Sequence, residues 1–474
     1  MKHSTFPVYF LFILFVYQNG VSQATPHQMV ERMGRGINLG NVLSAPIEGN
    51  WAPAVEETYF DDVIAVGFKT VRIPIRFDEH TTKLETVNYK DVGGNYIGSI
   101  NDYVVETSYL DRIEEVTDWA INKGLVAIID VHGDHWFWES YRQFKQGNPN
   151  PEYKTGADRE AAVDRFKAIW TAISNRFQNK SENLLFEIMN EAYFSMNASE
   201  VDNINTQILE ITRISNPTRN VIVNGGGKNS YEAPLQLATS YPDNNNYLHN
   251  DPYLIATFHY YWPRAFTASA SQEHNDFDWG TPEDKAEIDT NFQAVKDWST
   301  TNNIPMFFGE FGADNEGGFN YYTQTYGAYG GPENASRVEF HRYLAQKAID
   351  LGFSFTAWDA GDKAGKTIYK ATDRTWVEDV KDALLGEDLL GLYKNEPTEL
   401  SFKIHPNPAK NIAFFKTDKP IRTIKLFNEL GKEVCSYKSD LQHLNLANLK
   451  PGIYILKINL EDNTIINKKI LINF

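Results

Sequence analysis

Eight short apolar runs alternate with longer segments of helical pattern between residues 26 and 394. The clearest helical segment spans residues 109–123 and ends before Gly124, with apolar side chains recurring every three or four positions. Near-continuous apolar strands separated by helices are typical of a parallel sheet buried on both faces. Eight such units predict a (β/α)8 barrel, and an open doubly wound sheet is the alternative on periodicity alone. The predicted strands are 36–39, 70–74, 126–131, 184–188, 221–223, 255–258, 305–308 and 354–357.

The pattern changes near residue 395. Short alternating strands at 421–427, 453–458 and 465–472, separated by turn signals, predict a small β-sandwich. Residues 401–474 hold 12 Lys and Arg against 6 Asp and Glu, whereas the whole chain has a net charge of −17. A charge asymmetry of this kind indicates separate modules. We therefore predict a barrel domain at 25–394 and a sandwich domain at 395–474.

The first 24 residues have the pattern of a secretory signal peptide. Lys2 precedes an apolar run at 6–17, and small residues at 20–24 could form a cleavage site. The apolar run is about 12 residues long, whereas a membrane-spanning helix needs about 20. We expect an exported protein without a membrane span, secreted or held at the cell surface.

Composition excludes several classes of protein. With 42% hydrophobic and 23% charged residues, the chain has an ordinary globular composition. Its negative net charge argues against nucleic acid as a partner, because duplex binding needs clustered Lys and Arg. Cys435 is the one cysteine, which excludes an intrachain disulfide and a zinc site built from several thiolates.

Polar residues stand where the predicted barrel strands end, at the rim where barrel enzymes place their active sites. A single carboxylate in such a position is more often a helix cap or a surface ion pair. Eight strand ends meeting at one rim favour a functional site instead. The residues are Asn38, Arg72, His132, Asn190, Glu191, Asn224, His259, Tyr261, Glu310 and Trp358.

Glu191 and Glu310 give the most specific hypothesis. Cleavage of a glycosidic bond needs one carboxylic acid to protonate the departing oxygen and a second carboxylate to attack the sugar or activate water. The two glutamates end strands four and seven, so both can reach one substrate atom. We expect Arg72 to keep Glu310 ionised, and we expect the charge of Glu310 to raise the pKa of Glu191.

Three segments resemble glycoside hydrolase family 5, the cellulase and mannanase family, over most of residues 30–385. They read Arg-Gly-Ile-Asn-Leu-Gly-Asn at 35–41, Phe-Glu-Ile-Met-Asn-Glu at 186–191 and Phe-Phe-Gly-Glu-Phe-Gly at 307–312. The resemblance implies Glu191 as acid/base, Glu310 as nucleophile and retention of configuration through a glycosyl-enzyme intermediate. It implies that Asn190 binds the sugar 2-hydroxyl and that Trp358 forms the platform under the reacting sugar. It also implies substrate-binding or supporting roles for Asn38, Arg72, His132, His259 and Tyr261.

The sequence departs from the family pattern at two positions. Ala192 stands where proline often follows the catalytic glutamate, and Gly133 stands where many members have a second histidine. We expect His135 or Trp136 to supply the missing substrate contact. His132 and His135 also have a spacing that could suit a metal, but no third ligand presents itself, and we expect no metal or cofactor.

Aromatic residues make up 14% of the chain, and five tryptophans follow predicted strand ends. Sugar rings stack on indole faces, so these tryptophans could form further subsites, and packing is an equal alternative. Trp119 and Trp170 have helical spacing and are predicted to be core residues. The loop tryptophans are Trp51, Trp136, Trp138, Trp262 and Trp279.

Residues 404–472 resemble the type A sorting domain of the type IX secretion system of Bacteroidota. The resemblance includes Ile-His-Pro-Asn-Pro at 404–408 and Lys-Pro-Gly-Ile-Tyr at 450–454. It implies the type IX machinery as a partner and passage across the outer membrane. A carbohydrate-binding module is the alternative, although the absence of tryptophan from this region is evidence against it.

These observations predict a monomeric endo-β-1,4-glucanase acting on cellulose or a mixed-linkage β-glucan. Within the family, the alternatives are an endo-β-1,4-mannanase and a xyloglucanase. The alternative from another class is a non-catalytic glycan-binding protein on a decayed barrel. The presence of both glutamates and their supporting residues favours the enzyme.

Overall fold

The structure is a computed structural model of the chain. It describes residues 23–132, 156–192, 198–237, 247–271 and 276–386, and near the C-terminus residues 403–405, 409–416, 420–428, 432–438, 443–460 and 465–473. The chain divides into two compact units, Met1–Trp376 and Val377–Phe474. Within the described residues, no helix has the length and apolar character needed to cross a membrane.

The first unit contains a closed barrel of eight parallel strands, each paired with its neighbours in chain order and the last with the first. The predicted (β/α)8 barrel is therefore confirmed, and the open sheet is excluded. The strands are β1 Arg35–Asn38, β2 Thr70–Ile75, β3 Val126–Val131, β4 Leu184–Glu187, β5 Val221–Val223, β6 Leu254–Tyr260, β7 Met306–Phe311 and β8 Ser354–Ala357.

Helices connect the strands and cover the barrel. The helix predicted at 109–123 is Thr107–Asn122, and it buries the apolar positions that predicted it. The described helices of this unit are α1 Pro26–Met33, α2 Glu57–Val66, α3 Thr107–Asn122, α4 Gly156–Arg176, α5 Ala198–Ser215, α6 Ala233–Gln236, α7 Tyr247–Asn250, α8 Arg264–Thr267, α9 Pro282–Asn302 and α10 Asn334–Asp350. Short antiparallel hairpins follow three strands, at Thr81–Lys83 with Tyr103–Val105, Phe319–Asn320 with Thr325–Tyr326, and Tyr369–Lys370 with Thr375–Trp376.

Helix α1 closes the N-terminal end of the barrel. A capping box between Thr25 and Gln28 starts the helix, and Pro26 occupies its first turn. Met29 and Met33 are fully buried in a cluster with residues from the beginnings of five strands, Val126, Ile128, Leu185, Ile222, Ile255 and Phe307. The opposite end of the barrel is left for the polar residues that end the strands.

Strand pairing brings distant polar residues side by side. In the parallel register, Asn38 of β1 pairs with Arg72 of β2, and Asp130 of β3 pairs with Glu187 of β4. Strands β3, β5 and β8 have the predicted bounds. A buried parallel barrel explains this agreement, because strands covered on both faces are continuously apolar.

The predicted ends of strands six and seven were wrong. Strand β6 extends to Tyr260 and β7 to Phe311, so His259 and Glu310 lie inside strands and not after them. The register shifts between Phe258 and His259, after which His259 pairs with Glu310. Polar residues interrupt the apolar pattern at these positions, while the backbone pairing continues past them.

The second unit contains helix α11, Glu378–Leu385, and two antiparallel sheets. One sheet has three strands, β9 Lys403–His405, β10 Ile412–Lys416 and β13 His443–Asn445. The other has four, β11 Ile421–Phe427, β12 Glu433–Lys438, β14 Gly452–Leu460 and β15 Ile465–Ile472. Ala413 and Leu444 of the first sheet share a buried cluster with Leu426 and Leu456 of the second, so the predicted small β-sandwich is confirmed.

Candidate active site

The predicted site residues that the structure describes lie within a barrel strand or just after one. Asn38, Arg72, His259 and Glu310 belong to strands, and His132, Asn190, Glu191, Asn224, Tyr261 and Trp358 follow strands. Nδ2 of Asn224 donates to the carbonyl oxygen of Asn190 at 3.0 Å. His135 and Trp136 lie outside the described residues, as does Trp138. The structure therefore brings ten of the twelve residues to one end of the barrel.

Arg72 is the central residue of this cluster, and its side chain is fully buried. Its Nη1 donates to Oε1 of Glu310 at 2.6 Å and to Oδ1 of Asn38 at 3.0 Å. Its Nη2 donates to Oδ1 of Asn190 at 2.9 Å. Burial alone would lower the pKa of Arg72, but the surrounding carboxylates raise it well above its ordinary value. The guanidinium therefore stays charged.

Glu310 is held as an acceptor at both of its carboxylate oxygens. Oε1 accepts from Arg72, and Oε2 accepts from the hydroxyl of Tyr261 at 3.0 Å. Hydrogen bonds from a cation and a phenol hold the carboxylate in one orientation. Such a carboxylate is suited to act as a nucleophile.

Glu191 is in a different environment. Burial raises its pKa to about 7, against the opposing effects of His132, Arg72 and Lys228. The direction agrees with the expectation from the sequence, but the main cause is removal of the carboxyl from water and not the charge of Glu310. Nδ1 of His259 lies 3.0 Å from Oε1 of Glu191. Because burial lowers the pKa of His259 to about 4, this imidazole is neutral near pH 7.

The two glutamates face each other at a short distance. One oxygen of Glu191 and one of Glu310 lie within 4.8 Å of each other, with an imidazole nitrogen of His259 equally close. In retaining glycosidases the two carboxyl groups are about 5–5.5 Å apart, whereas inverting enzymes leave about 6.5–9.5 Å for a water molecule. The arrangement matches the shorter distance.

The same three residues offer ligand atoms that a divalent cation could use. A cation at this position would compete with the Arg72 and Tyr261 donors for the oxygens of Glu310. A guanidinium at hydrogen-bond distance also repels a second positive charge. The donor pattern around Glu310 therefore favours proton transfer and nucleophilic chemistry over metal binding.

Trp358 and His132 form one wall of the site. Their rings are stacked with centroids 5.7 Å apart and planes 10° from parallel. Asp130 lies beneath, with Oδ1 3.3 Å from Nδ1 of His132. Burial alone would lower the pKa of His132, and Asp130 raises it. Trp358 is half-buried, so part of its indole can contact a sugar ring.

Comparison with known proteins agrees with this geometry. The sequence profile of the family described as Cellulase (glycosyl hydrolase family 5) matches residues 33–364. The chain belongs to glycoside hydrolase family 5. A second profile, described as a secretion system C-terminal sorting domain, matches residues 403–473.

Individual relatives of this family 5 chain are endoglucanases. It is 38% identical to Endoglucanase H of Acetivibrio thermocellus over 363 residues, which are 76% of this chain and 33% of that protein. It is 29% identical to Endoglucanase B of Paenibacillus lautus over 362 residues, 73% of this chain and 55% of that protein. The chain thus spans a third and about half of the lengths of these two relatives.

A solved structure has the same barrel. It is described as a hyperthermophilic endo-beta-1,4-glucanase in complex with substrate, and it aligns with a TM-score of 0.60 at 26% sequence identity. The alignment covers 77% of this chain and 100% of that one. The shared region is therefore the whole of that enzyme's structure, and the C-terminal sandwich is additional.

Two buried carboxylates of the family 5 site were missed by the sequence analysis. Asp130 and Glu187 are both fully buried and lie within 3.2 Å of Arg72. In the sequence they appear as acidic residues within apolar strands. A buried arginine needs nearby carboxylates to stay charged, and this requirement could have pointed to them.

The loop tryptophans divide into two groups. Trp279 is 6% exposed and packs against Phe266 and Phe340, so its role is in the core. Trp51 is 44% exposed and Trp262 is 54% exposed. Trp262 directly follows Tyr261, whose hydroxyl contacts the candidate nucleophile. Trp170 is fully buried as predicted, whereas Trp119 is half-buried.

Gly309 leaves space for the side chains beneath the site. A Cβ at this position would lie 2.9 Å from Oγ1 of Thr257 and 3.0 Å from Nε2 of His259. Gly312 lies three residues further on, and there the nearest atom to an added Cβ would be the carbonyl oxygen of Trp358, at 3.5 Å. The two glycines therefore form a matched pair for substitution.

We predict that Gly309→Ala lowers the free energy of unfolding by about 1–3 kcal/mol, because one inserted methyl group forces its neighbours to move. Displacement of His259 should also reduce activity. Gly312→Ala should change both quantities little. Chemical denaturation and initial rates on a soluble β-glucan measure the two effects. Equal behaviour of the two variants would contradict the prediction.

Proposed function

We propose that the protein is a retaining endo-β-1,4-glucanase, with Glu310 as nucleophile and Glu191 as general acid/base. The short distance between their carboxyl oxygens is the observation that carries this proposal. The names of the relatives, Endoglucanase H and Endoglucanase B, support a β-glucan substrate.

The environments of the two glutamates support these roles. Glu310, held by Arg72 and Tyr261, attacks the anomeric carbon as a carboxylate and forms a glycosyl ester. Glu191, with its raised pKa, protonates the departing oxygen. It then accepts a proton from the water that hydrolyses the ester. Asn190 binds the sugar hydroxyl next to the reacting carbon in this proposal, and its hydrogen bond from Arg72 supports that role.

The remaining residues bind and align the sugar. Trp358, stacked with His132, offers an indole face for the reacting ring. The exposed indole of Trp262 supports a further contact with a neighbouring ring. His135 and Trp136 are proposed as further substrate contacts on the basis of the sequence.

Substitution of the proposed nucleophile tests the reaction class. We predict that Glu310→Gln lowers kcat on carboxymethylcellulose and barley β-glucan by at least about 10³-fold, because an amide cannot form the glycosyl ester. Binding of cello-oligosaccharides should persist. Reducing-sugar release by the full chain measures turnover, and calorimetry measures binding.

The same assay distinguishes the alternative functions. Xyloglucan, glucomannan and galactomannan belong in the panel beside the linear glucans. Release confined to mannans would leave the mechanism intact and contradict the glucanase proposal. Oligosaccharide binding without turnover of any polysaccharide by the unmodified chain would favour a glycan-binding protein.

The raised pKa of Glu191 predicts the pH dependence. Because Glu191 must hold a proton to protonate the leaving group, kcat/KM on cello-oligosaccharides should fall as the pH rises through about 7. A dinitrophenyl cellobioside needs no proton at its leaving group, so its kcat/KM should stay high at these pH values. The same alkaline decline for both substrates would contradict the assignment of Glu191.

We further propose that residues 1–24 form a signal peptide and that the C-terminal domain directs export through the type IX system. The sorting-domain profile supports the second part. In a bacterium with that system, the full chain should give activity at the cell surface or in the medium. A chain ending at residue 394 should keep its activity inside the cell envelope. External activity of the shortened chain would contradict the sorting role.

A further inference from the structure

Glu187 is the last residue of β4, four positions before Glu191, and its carboxylate is fully buried beneath the active site. It is too deep to contact substrate. The mechanism described above gives it no role. Its contacts are nevertheless unusual, because it meets Arg72 with both oxygens.

All five N–H groups of Arg72 have acceptors. Nη1 donates hydrogen bonds to Asn38 and Glu310, and one N–H of Nη2 donates to Asn190. The other two N–H groups both go to Glu187, from Nε to Oε2 at 2.7 Å and from Nη2 to Oε1 at 3.0 Å. Among these acceptors of Arg72, Glu187 is the residue that accepts from two N–H groups, one at each carboxylate oxygen.

A guanidinium is planar and rigid, so fixing two of its N–H groups fixes the directions of the other three. Without this pair, the long side chain of Arg72 could rotate and redirect its remaining donors. Two of those donors go to the proposed nucleophile Glu310 and to Asn190, which is proposed to bind the sugar. The Glu187 contact therefore determines where both groups are held.

The charge of Glu187 also acts on this cluster. One guanidinium lies among three carboxylates, Asp130, Glu187 and Glu310. Burial raises the pKa of Glu187 to about 7, although Arg72 opposes this shift. When Glu187 is ionised, it shares the positive charge of Arg72 with Glu310, and the attraction of Arg72 for the nucleophile is weaker.

We propose that Glu187 is a positioning residue that acts through Arg72, aiming the guanidinium at Glu310 and Asn190 by its two-point contact. The proposal rests on the proposed function. It extends that function from the reacting groups to the residue that orients them.

Glu187→Gln tests the contact with almost no change in volume. Its amide nitrogen cannot accept a hydrogen bond, so one of the two N–H groups of Arg72 loses its acceptor. We expect kcat on barley β-glucan to fall about 10- to 100-fold, since small displacements of reacting groups have effects of this size. The pH dependence of kcat/KM should also change, because one of the three carboxyl groups around Arg72 can no longer ionise.

A double-mutant cycle with Arg72→Lys separates positioning from general destabilisation. Lysine cannot make the planar two-point contact, so Glu187→Gln should cost much less activity in that background than in the native one. An activated aryl cellobioside keeps residual rates measurable. Asp362→Asn is the matched control, because Asp362 is a buried carboxylate that accepts from the backbone of Thr372. It should retain kcat in both backgrounds.

Equal fold losses from Glu187→Gln in the two backgrounds would overturn the proposal, as would an unchanged kcat in the native background. If Glu187→Gln does not fold, Glu187→Asp is used in its place. We expect Glu187→Asp to keep one hydrogen bond to Arg72 in place of two, and its loss of kcat should again be smaller in the Arg72→Lys background. Failure of the proposed function would appear separately, as activity that survives in Glu310→Gln.

Discussion

The buried ion cluster around Arg72 is the interaction on which the active site depends. An arginine inside a barrel is strongly destabilising unless carboxylates and hydrogen bonds compensate for its lost hydration. Here the compensating groups come from β1, β3, β4 and β7 and from the residues that follow β4. One side chain on β2 thus ties strands from around the barrel together at the end where the chemistry occurs.

The fold gives two glutamates in one cleft different environments. Arg72 and Tyr261 donate hydrogen bonds to Glu310 and hold its carboxylate in one orientation. Burial raises the pKa of Glu191 to about 7, and the imidazole of His259 beside it is neutral near pH 7. The distinction arises from the local donors and from burial, and it does not require the two carboxylates to repel each other strongly.

The barrel could be predicted from the sequence because its strands are buried on both faces and therefore read as continuous apolar runs. Three of the eight strands have the predicted bounds. The same reasoning fails at His259 and Glu310, where polar residues continue a strand beyond its apolar pattern. It also fails for Glu187, whose importance appears only when its distance to Arg72 is known. For Trp279 the sequence left sugar binding and packing as equal alternatives, and tertiary packing buries this loop residue.

Residues on strands could be placed from the sequence, whereas residues on loops could not, because strand pairing follows a regular register and loops do not. Strand register fixes the positions of Asn38, Arg72, Glu187 and Glu310, so the proposed nucleophile and the arginine that contacts it are held by backbone hydrogen bonds. The exposed indoles of Trp51 and Trp262 instead lie on connecting segments, whose shapes follow no short periodicity. The reaction class can therefore be inferred from the strands and the residues that directly follow them, whereas the choice between gluco- and manno-configured polysaccharides depends on the loops.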